Sequence, residues 1–141
     1  MKFYTPLTIR FRDLDTMAHV NNSVYFTLTE HGRIEYFNQV IGKPRDWQVF
    51  SVLVARNEIN YMRPIHLHDK VFAGIETAKI GSKSIEVNFN MEIETEAGER
   101  IVAAEGKTIL VCFDVKNNTS APVPQEWIEK FEAFEGKNLR G

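Results

Sequence analysis

The sequence predicts an α+β protein, an antiparallel sheet of about five strands curled around one long helix. Three observations carry that expectation. One long helical segment follows a single extended segment near the N-terminus. Every later segment of comparable length is extended, down to a short helical one near the C-terminus. Residues 84–95 then alternate with a period of two, placing Ile85, Val87, Phe89, Met91 and Ile93 against Glu86, Asn88, Asn90, Glu92 and Glu94. That is the pattern of a half-buried strand in an antiparallel sheet.

The elements follow in order. Residues 3–12 read as a first strand, because Leu7, Ile9 and Phe11 alternate with Thr8, Arg10 and Arg12. Residues 13–22 are rich in Asp, Asn and small side chains and form a loop. A helix is expected from about Ser23 to Ile41, stopped by Gly42 and Pro44. Asn21, Asn22 or Ser23 can supply its capping oxygen. Tyr25, Leu28, Gly32 and Glu35 fall on one stripe, and Val24, Ile34, Phe37 and Val40 widen the apolar surface. Residues 47–62 are extended and end at Pro64, and residues 70–80 form another strand. Gly81-Ser82 turns the chain into the alternating strand, and residues 96–99 turn it again into a long strand over residues 100–115. Residues 124–134 are amphipathic, with Trp127, Ile128, Phe131 and Phe134 at helical spacing and Pro124 at the start.

Bulk properties narrow the classes. A chain of 141 residues is one domain, 1–141, long enough to bury a core without disulfides or metal. Its 43% hydrophobic and 26% charged residues are those of a globular protein. A formal net charge of −2 argues against nucleic acid as a main partner. No apolar run approaches the ~18 residues of a membrane span. The N-terminus alternates like a strand and lacks the apolar centre of a signal peptide, so a cytoplasmic location is expected. The one cysteine, Cys112, lies in the apolar run Ile109-Leu110-Val111-Cys112-Phe113 and reads as a buried, inert thiol. Sheet edges and the far face still need cover, which predicts a homodimer or homotetramer whose interface completes the site.

Residues 10–26 carry the chemistry: a strand, an acidic polar loop, then a helix N-terminus. Unpaired N–H groups at a helix start and the helix dipole favour an anion there. A thioester carbonyl placed there is polarised, and its tetrahedral oxyanion stabilised. A carboxylate just upstream can attack the carbonyl or activate water. Asp15, seven residues before Asn22, is close enough for the loop to fold it over the helix start. An Asx residue that merely caps the loop is the competing reading.

This segment resembles the signature of the 4-hydroxybenzoyl-CoA thioesterase family, including its bacterial short-chain acyl-CoA thioesterases. That signature has an aromatic strand residue, D-x-D, a glycine-containing loop, and a helix with a tyrosine. Phe11, Asp13, Asp15 and Tyr25 match it. The run His19-Val20-Asn21-Asn22, with Glu30 and Arg33 following, is similar to an acyl-thioesterase subgroup and is shared with acyl-carrier-protein thioesterases. Tyr61-Met62-Arg63-Pro64 with Asp69, and residues 79–84, fit the family's later strand junctions, so the resemblance covers nearly the whole chain.

The resemblance implies the hotdog fold and acyl-CoA as substrate, with coenzyme A part of the substrate and no separate cofactor. Asp15 falls on the catalytic aspartate, as general base or nucleophile. The backbone N–H groups around Asn22 and Ser23 fall on the oxyanion donors, and Tyr25 among the substrate-binding positions. Lys79, Ser82, Lys83 and Ser84 are candidates for the coenzyme A phosphates, against the alternative of a solvated hairpin. There are two departures. Ala18 stands where the loop usually has glycine, and Asn22 stands where several bacterial members have histidine.

Other polar residues have plainer readings. His19 can donate to substrate or orient Asp15, but such a loop histidine is more often a packed, hydrogen-bonded residue. Asp13 is expected to pair with Arg10, Arg12 or Arg33, and Glu30 with Arg33 as a buried ion pair, in preference to the alternative that Glu30 faces the pocket as a helix carboxylate does in some related hotdog enzymes. Gly32 permits close approach of helix and strand. His66, His68 and Asp69 suggest zinc, but no further ligand cluster accompanies them, so no metal is expected. Hydrolysis of acyl groups on an acyl carrier protein is the second enzymatic reading, and a non-catalytic acyl-thioester binding module the third. The hydratase branch of the same fold lacks its D-x-N-x-x-H arrangement here.

Overall fold

The computed structural model describes residues 1–42 and 48–140. The α+β architecture is as expected, a six-stranded antiparallel sheet with one long helix. The strands are β1 (Phe3–Leu7), β2 (Phe50–Tyr61), β3 (Lys70–Ile80), β4 (Ser84–Glu94), β5 (Arg100–Asp114) and β6 (Thr119–Ser120). Their order is β1-β3-β4-β5-β2, and β6 pairs with β5. The helices are α1 (Val24–Val40) and α2 (Gln125–Glu135). Among the described residues no helix is long and apolar enough to cross a membrane. Pro44 and Trp47, the expected helix stop and strand start, lie outside the described residues.

Contacts divide the chain into two compact units. The first comprises Met1–Tyr36, Ile59–Ile75 and Phe89–Gly106. In it β1 runs antiparallel to β3, from Phe3 opposite Ile75 to Leu7 opposite Val71. Leu7, Tyr25, Leu28, Ile65, Ala73 and Met91 share one buried cluster. Gly32 faces that strand so closely that a Cβ built on it would lie 2.8 Å from Ala73 Cβ. The expected role of Gly32 is therefore the observed one.

The first strand is shorter than expected. Leu7 already faces Val71, one residue from the start of β3, so little strand remains to pair with residues 8–12. Phe11–Asp13 instead form a single 3₁₀ turn, held by Asp13 N–H donating to the Arg10 carbonyl at 2.9 Å. The alternation that suggested a longer strand leaves Phe11 81% exposed.

The α1 surface also differs from its expected stripe. Tyr25, Leu28, Thr29, Gly32, Arg33, Tyr36 and Phe37 are buried, at helical spacing. Ile34 and Glu35, assigned to the apolar surface, are exposed. Burial follows the i, i+3/i+4 rows that meet the sheet, whatever the polarity of the individual residue. The Glu30–Arg33 pair is long, at 3.9 Å, and one-sided: Arg33's side chain is 10% exposed and Glu30's 61%. It is not the buried ion pair expected. Burial lowers the Arg33 pKa, opposed only by Glu30.

The second unit holds the remaining described residues. Phe37 packs edge-on against Trp127 and Phe131. Lys130 Nζ donates to the Ile41 carbonyl at 3.1 Å, and Glu135 Oε2 accepts the Thr77 N–H at 3.0 Å. Gly136 ends α2 at φ 72°, its N–H on the Glu132 carbonyl, as a left-handed cap requires. Cys112 is fully buried, and burial pushes its thiol up to about 11.

Candidate active site

The site is built on the loop between β1 and α1. An antiparallel bridge between Leu14 and Val20 closes the loop at its neck. Inside, Asp15 N–H donates to the His19 carbonyl at 2.8 Å, and Ala18 N–H to the Asp15 carbonyl at 3.0 Å. The turn this makes requires a left-handed residue, and Ala18 supplies it at φ 61°. The loop thus keeps, without its usual glycine, a conformation that glycine would adopt at no steric cost. Two further bonds seat the loop: Val20 N–H on the Ile65 carbonyl and Asn21 N–H on the Asp13 carbonyl, both 2.8 Å.

Asp15 has two distinct oxygens in this arrangement. Oδ1 accepts the N–H groups of Met17 at 2.8 Å and His19 at 3.2 Å. Oδ2 has no hydrogen-bond partner among the described residues. The capping role weighed against catalysis is real, and it occupies one oxygen. Asp13 accepts the backbone N–H of Arg10 at 2.8 Å rather than a guanidinium.

A cavity of about 300 Å³ opens beside Asp15. Asp15, His19, Asn22 and Tyr25 line it from the loop and helix, and Tyr61 and Arg63 from the end of β2. Met62 and Arg63 both donate their N–H groups to the Ala103 carbonyl, at 2.8 and 3.1 Å. Two residues opposite one carbonyl make a bulge, which re-aims the side chains on either side of it. Tyr25 is buried, and its phenol pKa is raised by that burial first, then by Tyr61 and Asp15. Its hydroxyl therefore stays protonated at neutral pH, a hydrogen-bond donor beside the carboxylate.

The N–H groups at the helix start differ in their partners. Asn21 turns the chain into α1: its Oδ1 accepts Ser23 N–H at 3.0 Å and Ser23 Oγ at 2.9 Å, and its carbonyl accepts Val24 N–H at 2.9 Å. Ser23, expected as an oxyanion donor, thus has its N–H engaged by a side-chain oxygen. Asn22 N–H has no hydrogen-bond partner among the described residues, and Asn22 lines the cavity.

His19 is in the cavity wall, its ring edge-on to that of His66 at 5.0 Å. His66 Nδ1 lies 3.5 Å from Asp69 Oδ2. Among the described residues no three His, Cys, Asp or Glu side chains gather as a metal site would need. Lys79, Ser82, Lys83 and Ser84 do not line this cavity. Lys79 and Ser84 lie at the facing ends of β3 and β4 and Ser82 and Lys83 in the turn between them, where Gly81 N–H meets the Ser84 carbonyl at 2.8 Å and Lys83 Nζ reaches Ser120 Oγ at 3.3 Å. Sequence reasoning did not assign Tyr61 or Arg63 to the site. Its available signal was a tyrosine and an arginine packed together just before the proline that ends β2.

Comparison with known proteins points the same way. Residues 9–131 match the family model of the thioesterase-like superfamily. A thioesterase from Thermus thermophilus, crystallised with coenzyme A and zinc, is 35% identical, with 98% of this chain and 97% of that one covered and a TM-score of 0.81. The long-chain acyl-CoA thioesterase FadM of Escherichia coli is 26% identical over 131 residues, 91% of this chain and 96% of FadM. The uncharacterized protein YsmA of Bacillus subtilis is 26% identical over 87 residues, 62% of this chain and 58% of its own length.

Proposed function

The chain belongs to the thioesterase-like superfamily of hotdog-fold hydrolases, and from that premise we propose that it hydrolyses acyl-CoA to a free acid and coenzyme A, using Asp15 and the Asn22 N–H. The observation that supports this reading is that Asp15, whose Oδ2 lacks a hydrogen-bond partner among the described residues, lines the same cavity as Asn22, whose N–H also lacks one there. An anchored Oδ1 holds the carboxylate in place without consuming the second oxygen.

In the general-base route Oδ2 takes a proton from water as the water oxygen bonds to the thioester carbon. The carbonyl electron pair moves onto oxygen, and that oxyanion is met by the Asn22 N–H at the positive end of α1. As the carbonyl re-forms, the C–S bond breaks and the departing sulfur takes the proton from Asp15. In the nucleophilic route Oδ2 itself bonds to the carbon, the thiolate leaves, and water opens the resulting anhydride. Tyr25 supplies a protonated hydroxyl to the substrate from the cavity wall. Lys79, Ser82, Lys83 and Ser84 are proposed to meet the coenzyme A phosphates, supported by the exposure of Lys79, Ser82 and Lys83 at the turn.

The test is thiol release from acyl-CoAs of graded length, acetyl to palmitoyl, together with aryl-CoAs. Asp15→Asn keeps an oxygen for the Met17 and His19 N–H groups but loses the basic carboxylate, so turnover should fall by about 10²–10⁴ with the fold intact. Near-normal turnover in that variant would remove Asp15 from the chemistry.

The domain is proposed to be single and to act as a homodimer or larger homo-oligomer. β2 ends the sheet order, and its Leu53 and Val54 are 48% and 45% exposed, an apolar edge that invites cover. A monomeric mass by light scattering would refute this.

A further inference from the structure

We propose that a second cavity, lined by Arg10 and Arg12, binds the anion of a short aliphatic carboxylic acid. It has a volume of about 210 Å³ and shares no lining residue with the Asp15 cavity. Its wall from α1 is one helix face, Val24, Thr27, Leu28 and His31 at helical spacing. Its other wall is the chain that leaves β1, from Leu7 into the 3₁₀ turn. The lining divides by polarity. Leu7 and Leu28 are buried and Val24 half-buried, while Arg10, Arg12, Thr27 and His31 are exposed. The cavity therefore joins an apolar floor to a cationic mouth.

The two arginines lack an anion. Asp13, the carboxylate in the same lining, gives Oδ2 to the Arg10 backbone N–H at 2.8 Å. Among the described residues neither guanidinium donates a hydrogen bond or joins an ion pair. Both stay charged at any working pH. Two cations thus face one carboxylate across a recess about 7 Å wide, within the ~8 Å screening length, and the excess positive charge attracts an anion. Size and polarity select which anion. The volume holds about seven groups of the size of a water molecule, at ~30 Å³ each. A carboxylate takes about two of these and leaves about five for carbon. An adenine nucleotide is roughly three times too large by that measure. A bare inorganic anion leaves the apolar floor uncovered. Hexanoate fits both requirements, its two oxygens matched to the guanidinium forks and its stem to Leu7, Val24 and Leu28. Thioester hydrolysis releases such an acid, and the same group ends a dicarboxylic acyl chain. Asp13 lines one cavity and Asp15 the other, at most ~7 Å apart along the chain, which is about the length of a six-carbon chain.

Titration with hexanoate, followed in an amide proton–nitrogen spectrum, should give saturable shifts at Thr27, Leu28 and His31. Acetate has the charge without the stem and hexanol the stem without the charge, and each should bind at least about tenfold more weakly. Arg10→Gln and Arg12→Gln should each weaken hexanoate binding about tenfold. Both side chains are exposed, so the melting temperature should hold in both variants. Arg12→Lys keeps the charge and loses the fork, and its affinity should fall between wild type and Arg12→Gln. The proposal is overturned by an absence of saturable shifts, by shifts confined to Asn22 and Tyr25, by hexanol binding as tightly as hexanoate, or by wild-type affinity in both Arg→Gln variants. Thiol release from adipoyl-CoA and hexanoyl-CoA then assigns the source. A preference for adipoyl-CoA that Arg12→Gln abolishes places the far carboxylate of a substrate in this cavity, and any other result leaves the free acid as its ligand. The binding measurement needs no turnover, so a chain that released no thiol would lose the hydrolase reading and keep this site.

Discussion

Gly32→Ala should destabilise the protein, although alanine is the better helix former. A Cβ at position 32 would lie 2.8 Å from Ala73 Cβ, where carbon atoms in contact ordinarily sit about 3.5–4.0 Å apart. The obstacle is the first atom of a side chain on a central strand, so no rotamer change removes it. Either α1 or β3 must shift by the better part of an ångström. Overpacking of that kind costs about 1–3 kcal/mol. Against it stands the helix preference for alanine over glycine, about 0.5–1 kcal/mol. The difference spans about 0–2.5 kcal/mol with a mid-value of about 1.3, which for a domain of this size lowers Tm by about 3–5 °C. Thermal unfolding followed by circular dichroism measures it, and guanidinium titration checks that the slope is unchanged. The contact also specifies its own control. Adding Ala73→Gly removes the opposing atom, so the double variant should be more stable than the sum of the single losses. A Tm for Gly32→Ala at or above wild type, or strict additivity in the double variant, would refute the close-approach reasoning.

Two further outcomes follow from single residues. Ala18→Gly should stabilise the protein by about 0.5 kcal/mol, since a left-handed alanine costs about 1–2 kcal/mol and the added freedom of glycine in the unfolded chain offsets only part of that; a lower Tm in this variant would mean that the turn carries no strain at residue 18. Cys112 should resist a thiol reagent at pH 8 in the native state and react fully once unfolded, because its thiol is buried and its pKa is raised to about 11. The sign of the linked pH effect is fixed: the folded state holds the proton more tightly, so this contribution is complete below the thiol's ordinary pKa near 9 and fades as pH rises towards 11. Cys112→Ala should show a smaller alkaline loss of stability, and an equal loss in both proteins would exclude the thiol as its source.

Local rules were enough wherever neighbours in sequence decide the outcome. The alternation of Ile85, Val87, Phe89 and Met91 against polar residues marked β4, and all four are buried. Gly32 announced a close contact because a glycine inside a helix costs stability unless something needs the space. The acidic loop before a helix start pointed to Asp15, because a carboxylate near unpaired N–H groups is a chemical arrangement visible in the order of residues. The missing glycine at Ala18 did not undo that loop, since one left-handed alanine is a small cost within a bonded turn.

Periodicity misjudged features that depend on partners far along the chain. Residues 8–12 alternate like a strand, yet pairing stops at Leu7 because the partner strand begins at Lys70. Ile34 and Glu35 lie outside the row of α1 that meets the sheet, while Thr29 and Arg33 lie within it, and side-chain polarity does not report which row is covered. Ser23 and Asn22 are equivalent in sequence as candidate oxyanion donors, and the structure distinguishes them only by partner: Asn21 Oδ1 accepts the Ser23 N–H. Tyr61 joined the site from 39 residues away through the bulge at Ala103. The order of residues therefore decides the chemistry available near Asp15. Long-range strand register and hydrogen-bond competition at the helix start decide which atoms there remain without a partner among the described residues.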